Sequence, residues 1–334
     1  MRVTLAWRPL AFEHPDISHR FCVLAHIQST RSATMATSDH AEGTPEYKQE
    51  IQRKLGEYIE TKRYIEEPEI LPWYKKEIGE LKPPARDLFE QYSHVAPDEV
   101  ETHIKRIRDE AFKIFPYPCV GNWGFLNLSV MESPVYKEVL ERIKNGEQYL
   151  DIGCCMGQDI RKLAHDGAPE DNMYGSDLKS EFWSIGYDMF LDKATLKSKF
   201  IEADVFDADS GLKELDGKLN IVHAASFFHL FDWDSQVKAA KRIGQLLKAE
   251  PGVMVFGRQG GMPEAGTIGH IQEGKSSYWH NLESWAKMWK QAGDETGIKW
   301  EVQSSFGEED LTKRMNAKIV PAGTRFMTFT IRRV

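Results

Sequence analysis

Read for the spacing of its apolar residues, the chain changes character twice. Residues 1–43 sustain no period, scatter their arginines and carry a Ser/Thr-rich patch over 29–38, which predicts a disordered extension. Glu13 and Asp16 interrupt the acid-poor run a mitochondrial presequence requires, and Met35 offers an alternative start. From Thr44 onward Tyr47, Ile51, Leu55 and Tyr58 share one helical face, behind a Thr cap and with Pro45 in the first turn. Helices are also predicted from near Pro84, with Leu88, Phe89 and Tyr92 inward, and over 100–111. Another is expected behind a Ser133-Pro134 cap, closed by Gly146. Residues 44–146 thus read as a helical cap and substrate region.

Over 147–334 the period alternates between strand and helix. Tyr149, Leu150 and Ile152 form a short apolar run, after which Ile160, Leu163 and Ala164 recur at helical spacing. Further strands are predicted over 174–178, 199–206, 219–225, 253–256, 300–306 and 326–334. Helices fall on Val237, Ala240, Ile243 and Leu247, and on Trp285, Met288, Trp289 and Ala292; residues 257–280 read as a long glycine-rich loop. Such alternation requires a mainly parallel sheet in an α/β fold.

The stretch 148–157, QYLDIGCCMG, is the candidate cofactor loop. Gly153 and Gly157 allow a sharp turn and a close ligand, and Gln158 opens a helix whose free N–H groups point back at the loop. A dinucleotide fingerprint begins with glycine, because a carboxylate there would repel the pyrophosphate; here the position is Asp151. The pattern D-x-G-x-x-x-G suits a cofactor with an amino group at the loop and a ribose beyond it, as in S-adenosyl-L-methionine. Asp177, followed by Leu178, ends the second strand where a ribose acid is expected, and Asp204 with Val205 and Phe206 is placed for adenine. Singly, each acid reads as a solvated strand-end carboxylate. Three at the ends of three successive strands are harder to attribute to chance.

In the fourth strand His223 lies inside the run and reads as structural. His229, just past it, is the candidate catalytic base or substrate-positioning group. Trp73, Tyr74 and Trp123 are candidates to line the substrate pocket, with core packing as the plainer role. Arg258 could pair with a substrate carboxylate or with an internal acid, and His280 could reach substrate or serve a helix entrance.

With 334 residues, 41% hydrophobic and 28% charged, the chain holds one large or two modest globular domains. A net charge of −8 disfavours nucleic-acid and anionic-membrane partners. The longest suggestive apolar piece, residues 21–27, is far too short for a membrane span. Cys22, Cys119, Cys154 and Cys155 show no metal-ligand spacing and read as reduced thiols of a cytoplasmic protein without a metal.

The loop LDIGCCMGQDIRKLAHDGAP, the spaced Asp177 and Asp204, and the closing pair of strands resemble class I S-adenosylmethionine-dependent methyltransferases. More narrowly, WYKKEIGELKPPARDLFEQYS, FPYPCVGNWGFL, HLFDW and FGRQGG resemble fungal methyltransferases of meroterpenoid and polyketide biosynthesis, from about residue 70 to the end. The resemblance implies a seven-stranded Rossmann-like sheet, its last strand antiparallel, under an N-terminal helical cap. It also implies O-methylation of a small secondary metabolite, at a carboxylate or a pyrone enol. Oligomeric state is left open, a homodimer included. Two other readings stand beside it: a nicotinamide-dependent oxidoreductase on the same sheet, and a non-catalytic cofactor-binding partner protein.

Overall fold

The computed structural model describes residues 39–40, 44–269, 275–313 and 321–334. The disorder, presequence and start-site expectations for 1–43 fall outside those residues, save Asp39 and His40.

Helix α1 (Pro45–Glu60) opens behind Thr44, whose hydroxyl accepts from the Tyr47 amide at 3.2 Å. It is followed by α2 (Pro83–Asp87), which widens into a π turn over Leu88–Tyr92, then α3 (Val100–Ile114), α4 (Pro118–Gly121) and α5 (Tyr136–Lys144). The Ser133-Pro134 cap is corrected. The Ser133 hydroxyl accepts only from the Val135 amide, at 3.4 Å, and the helix starts at Tyr136.

The strands are β1 (Tyr149–Ile152), β2 (Met173–Asp177), β3 (Lys199–Glu202), β4 (Ile221–His223), β5 (Met254–Gly261), a hairpin of β6 (Gly266–Gly269) and β7 (Ser276–Trp279), then β8 (Trp300–Asp310) and β9 (Arg325–Arg333). Seven of them form one sheet in the order β3-β2-β1-β4-β5-β9-β8. The first five run parallel, and β9 is antiparallel to both neighbours. This is the doubly wound, seven-stranded arrangement expected, its last strand antiparallel. The intervening helices are α6 (Gln158–His165), α7 (Ser180–Phe190), α8 (Trp233–Leu246) and α9 (Leu282–Thr296).

Two stretches read as loop are strand. Residues 257–261 continue β5, because β9 pairs with it from Met254↔Arg332 to Gly261↔Arg325. Gly257 is required there, since a Cβ would lie 2.2 Å from the Ala224 carbonyl oxygen. Residues 266–279 contain the β6–β7 hairpin. Conversely β3 stops at Glu202, so Asp204 lies beyond it.

Alternation along the strands divides the core. Leu150, Ile152, Val222 and Val255 pack on one face against α8 and α9 through Ile243, Trp285 and Trp289. Tyr149, Ile221, Met254 and Phe256 pack on the other against Val139, Ile143, Ile160 and Leu163. The cap core, with Leu55, Ile104 and Phe112, runs on into Met156 of the cofactor loop and Phe182, Met189 and Phe190 of α7.

Arg161 of α6 ties these parts together. Its fully buried guanidinium donates to both Asp192 oxygens, at 2.7 and 3.0 Å, and to the Met156 carbonyl at 2.7 Å. Asp192 also accepts the Tyr92 hydroxyl of the cap at 2.8 Å. Removing one partner of a buried pair leaves an uncompensated charge, at a cost of about 3–5 kcal/mol. Arg161→Met should therefore lose about that much in urea unfolding. Lys213→Ala, which breaks an exposed pair with Asp209, should leave the midpoint unchanged. Equal effects would contradict the assignment of Arg161 as the internal tie.

Candidate functional site

From the end of β1 the chain turns through Gly153 (φ +72°), Cys155 (φ +50°) and Gly157 (φ +68°) into α6. A side chain at Gly157 would meet the Trp183 ring at 2.5 Å and the Arg161 guanidinium at 2.7 Å, so the loop is pressed tight by α7 and α6. At Gly153 a Cβ would stand 3.0 Å from the Phe227 ring. The amides of Gly153 and Cys154 donate to the Ser176 carbonyl at 2.8 and 3.1 Å, tying the loop to β2. Asp177, at the end of β2, accepts the Cys155 amide on Oδ2 at 2.9 Å and the Lys179 amide on Oδ1 at 3.2 Å. Burial raises its pKa, with the surrounding amides pulling the other way. The carboxylate is thus oriented by backbone, with Leu178 exposed beside it.

Asp151 is buried, and its Oδ1 contacts His223 Nδ1 at 2.9 Å. Its Oδ2 and the Gln158 Oε1 are buried without a partner among the described residues. Such atoms call for a donor, and the ammonium of an amino-acid moiety supplies several. Burial raises the Asp151 pKa, opposed by His223. Burial alone would lower the His223 pKa, but the charge and hydrogen bond of Asp151 outweigh it and hold it above its ordinary value. Asp151, Asp159 and His223 offer donor atoms within 4.8 Å of one another. Asp159, however, already accepts the Ser129 hydroxyl at 2.6 Å and the Val130 amide at 3.0 Å. The trio therefore fits a hydrogen-bonded anchor better than a metal site.

Beyond β3, Asp204 is exposed and its Oδ1 accepts the Phe206 amide at 2.9 Å, an Asx turn. Val205 is buried, while Phe206 remains 42% exposed and meets the Phe231 ring edge-to-face at 5.0 Å. An open aromatic face beside an acid suits a purine. The structure thus brings the predicted cofactor residues to the carboxyl ends of three adjacent strands, β1, β2 and β3.

The acceptor-side candidates divide. His229 sits on the turn Phe228–Leu230 after β4, where Nδ1 accepts the Gly260 amide at 3.3 Å and the ring lies 5.4 Å from Trp279. Burial pushes its pKa down to about 4. Arg258 pairs with Glu132 and lies 4.3 Å from the Phe326 ring. His280 is fully buried and contacts Ser284 Oγ at 2.9 Å and Gln236 Oε1 at 3.1 Å. Burial lowers its pKa to about 3. Trp73, Tyr74 and Trp123 each have a partner within the cap. Trp73 donates to the Pro116 carbonyl at 2.9 Å, Tyr74 donates to Asp109 at 3.0 Å, and Arg108 lies 3.5 Å over the Trp123 ring. All three belong to the cap core or pack against it.

The residues the cap does bring to the cofactor loop went unselected in the sequence. The Tyr117 ring lies 5.3 Å from that of Phe182, tilted by 41°, and burial, then the Asp177 charge, raise its hydroxyl pKa. The Cys119 and Cys155 thiols shift each other, the Cys119 pKa down and the Cys155 pKa up. Prolines on both sides of Tyr117 were the available signal. Trp279 had none, because its strand read as loop.

Residues 73–126 match the family profile described as the meroterpenoid methyltransferase N-terminal domain, and residues 150–250 match a methyltransferase domain. The curated relatives include O-methyltransferase phiE of Fungal sp. (strain ATCC 74256), 47% identical over 69% of this chain and 78% of its own. Asnovolin E/Chermesin D methyltransferase nvfJ of Aspergillus novofumigatus is 42% identical over 68% of this chain and 82% of its own. Methyltransferase prhM of Penicillium brasilianum is 41% identical over 74% and 89%. The chain belongs to this fungal methyltransferase family. It is a methyltransferase, and S-adenosyl-L-methionine is its cofactor. The nicotinamide and non-catalytic readings are set aside with that assignment. Tyr117 and Cys119 of this methyltransferase lie within the N-terminal domain match, and the glycine loop and all three strand-end acids lie within the second.

The raised His223 pKa gives the methyltransferase a pH-dependent stability. The folded state holds more protons than the unfolded one between about 6.5 and the folded value, so stability falls as pH rises through that window. In urea unfolding from about pH 6 upward, wild type should lose its advantage over His223→Gln as pH increases. An advantage that grows with pH would reverse the assignment.

Proposed function

We propose that this methyltransferase transfers a methyl group to an oxygen of a small fungal secondary metabolite, a meroterpenoid or polyketide carrying a carboxylate or an enol hydroxyl. The observation that carries the cofactor half is the glycine loop joined through the Cys155 amide to Asp177. Asp151 and Gln158 face the amino-acid end, Asp177 with Leu178 takes the ribose hydroxyls, and Asp204, Val205 and Phe206 border adenine. The name of the relative phiE supports oxygen as the acceptor, and that of nvfJ supports a natural-product substrate.

When bound, S-adenosyl-L-methionine supplies a methyl group already activated on a sulfonium. The protein's task is then to hold the acceptor in line and keep water out. Phe227 and Phe231, beside the loop, provide apolar surface there. A carboxylate acceptor is ionised at neutral pH and needs no base. Among the described residues no helix is long and apolar enough to cross a membrane, which supports a cytoplasmic location as part of this reading.

Incubation with methyl-deuterated cofactor and a panel of carboxylic acids and hydroxypyrones should give a product heavier by one labelled methyl. A product that alkali hydrolyses is an ester, and one that resists is an enol ether. Label found only on carbon or nitrogen would contradict the proposal. Asp177→Ala should weaken cofactor binding about 10- to 100-fold in a calorimetric titration, as expected for hydrogen bonds to a charged group. Unchanged affinity would remove Asp177 from the ribose role.

A further inference from the structure

A backbone N–H can only donate. The contact from the Gly260 amide to His229 at 3.3 Å therefore makes Nδ1 an acceptor, a nitrogen without a proton. A neutral imidazole carries one proton, so in His229 it lies on Nε2. In that tautomer Nε2 has no lone pair to offer, and the lone pair of Nδ1 is already engaged. The ring is also held in place. Trp279 lies 5.4 Å away, and a side chain at Gly260 would strike the Trp279 ring at 3.0 Å, so the bare glycine lets β5, Trp279 and His229 close together. The turn that carries His229 packs on β5, β7 and α8; Arg258 of β5 is paired with Glu132, and among the described residues no charged group shifts His229. Burial alone lowers its proton affinity. His229 is half-buried, and Nε2 has no hydrogen-bond partner among the described residues. Two positions earlier, the Phe227 ring rests against Gly153 of the cofactor loop, so this turn borders the place where methyl transfer occurs.

We propose that His229 is a neutral hydrogen-bond donor that presents Nε2–H to the acceptor oxygen and takes no proton from it. The inference rests on the methyl-transfer reading of the same site. The acceptor then enters already ionised, its proton having gone to solvent. An O–CH3 bond forms as the S–CH3 bond breaks, the charges on oxygen and sulfur cancel, and no proton moves. Because the negative charge on oxygen is greatest before transfer, the hydrogen bond is strongest in the bound ground state. Its loss should therefore raise KM and leave kcat unchanged or slightly raised.

The test has two arms. Long-range proton–nitrogen spectra of the full-length, histidine-labelled protein, with His229→Gln as the assignment control, should show His229 neutral with its proton on Nε2 from about pH 6 to 8. A proton on Nδ1, or a titration within that range, overturns the proposal. In the kinetic arm, run on an acceptor found by the labelled-methyl screen, His229→Ala should raise KM about tenfold or more with kcat within a few-fold. His229→Gln, which can donate but cannot act as a base, should recover most of the loss. A collapse of kcat in both variants at unchanged KM, with S-adenosylhomocysteine binding intact, assigns a base and overturns the proposal. If no acceptor is methylated, the methyl-transfer reading fails, while the spectra still decide the tautomer.

Discussion

The buried pair of Arg161 and Asp192 is the constraint on which the rest of the structure depends. Through one guanidinium it holds the Met156 carbonyl of the cofactor loop, the start of α6 and the residue just past α7, and through Asp192 it reaches Tyr92 of the cap. Trp183, Tyr187 and Phe190 surround the cation at 4.9–5.6 Å, so its charge is shielded from water on the side where the glycines turn. Such a pair is a weak source of net stability but a strong one of specificity, because any other packing strands a charge. The glycines then have one conformation to adopt, and the strand-end acids one place to point.

From that frame the proposed site divides into an anchored cofactor half and a more open acceptor half. Asp177 is joined to the loop through the Cys155 amide, and Asp151 is paired with His223 beneath it. Across β4 and β5, His229 and Trp279 are positioned by backbone and by the hairpin rather than by ion pairs. The hairpin itself is tied to the cap, where Gln52 of α1 donates to the Gly269 carbonyl at 3.1 Å. Anchoring one half and closing the other with separate elements suits a fold that keeps one cofactor while its substrates change.

Much of the sheet was legible because strand and helix periods are local. The span of β1 is read at its observed bounds, and Asp177 falls at the end of β2. What local pattern cannot carry is pairing across distance. Residues 257–261 look like a loop until β9 is laid beside them, and Trp279 looks like loop decoration until its hairpin forms. The partners of the cap aromatics are equally non-local: Trp73 donates to the Pro116 carbonyl, Trp123 lies under Arg108, and Tyr117 comes close enough to Asp177 to feel its charge. The tautomer of His229 was beyond any sequence reading, since it is set by a backbone amide thirty-one residues away.

The central claim is that the loop, Asp177 and the segment after β3 form one S-adenosyl-L-methionine site. Calorimetric titration of the purified protein with S-adenosylhomocysteine, and separately with NADH, tests it without turnover. The account predicts saturable binding of the first, in about the micromolar range, and none of the second. Binding of NADH, or of neither ligand, would contradict it.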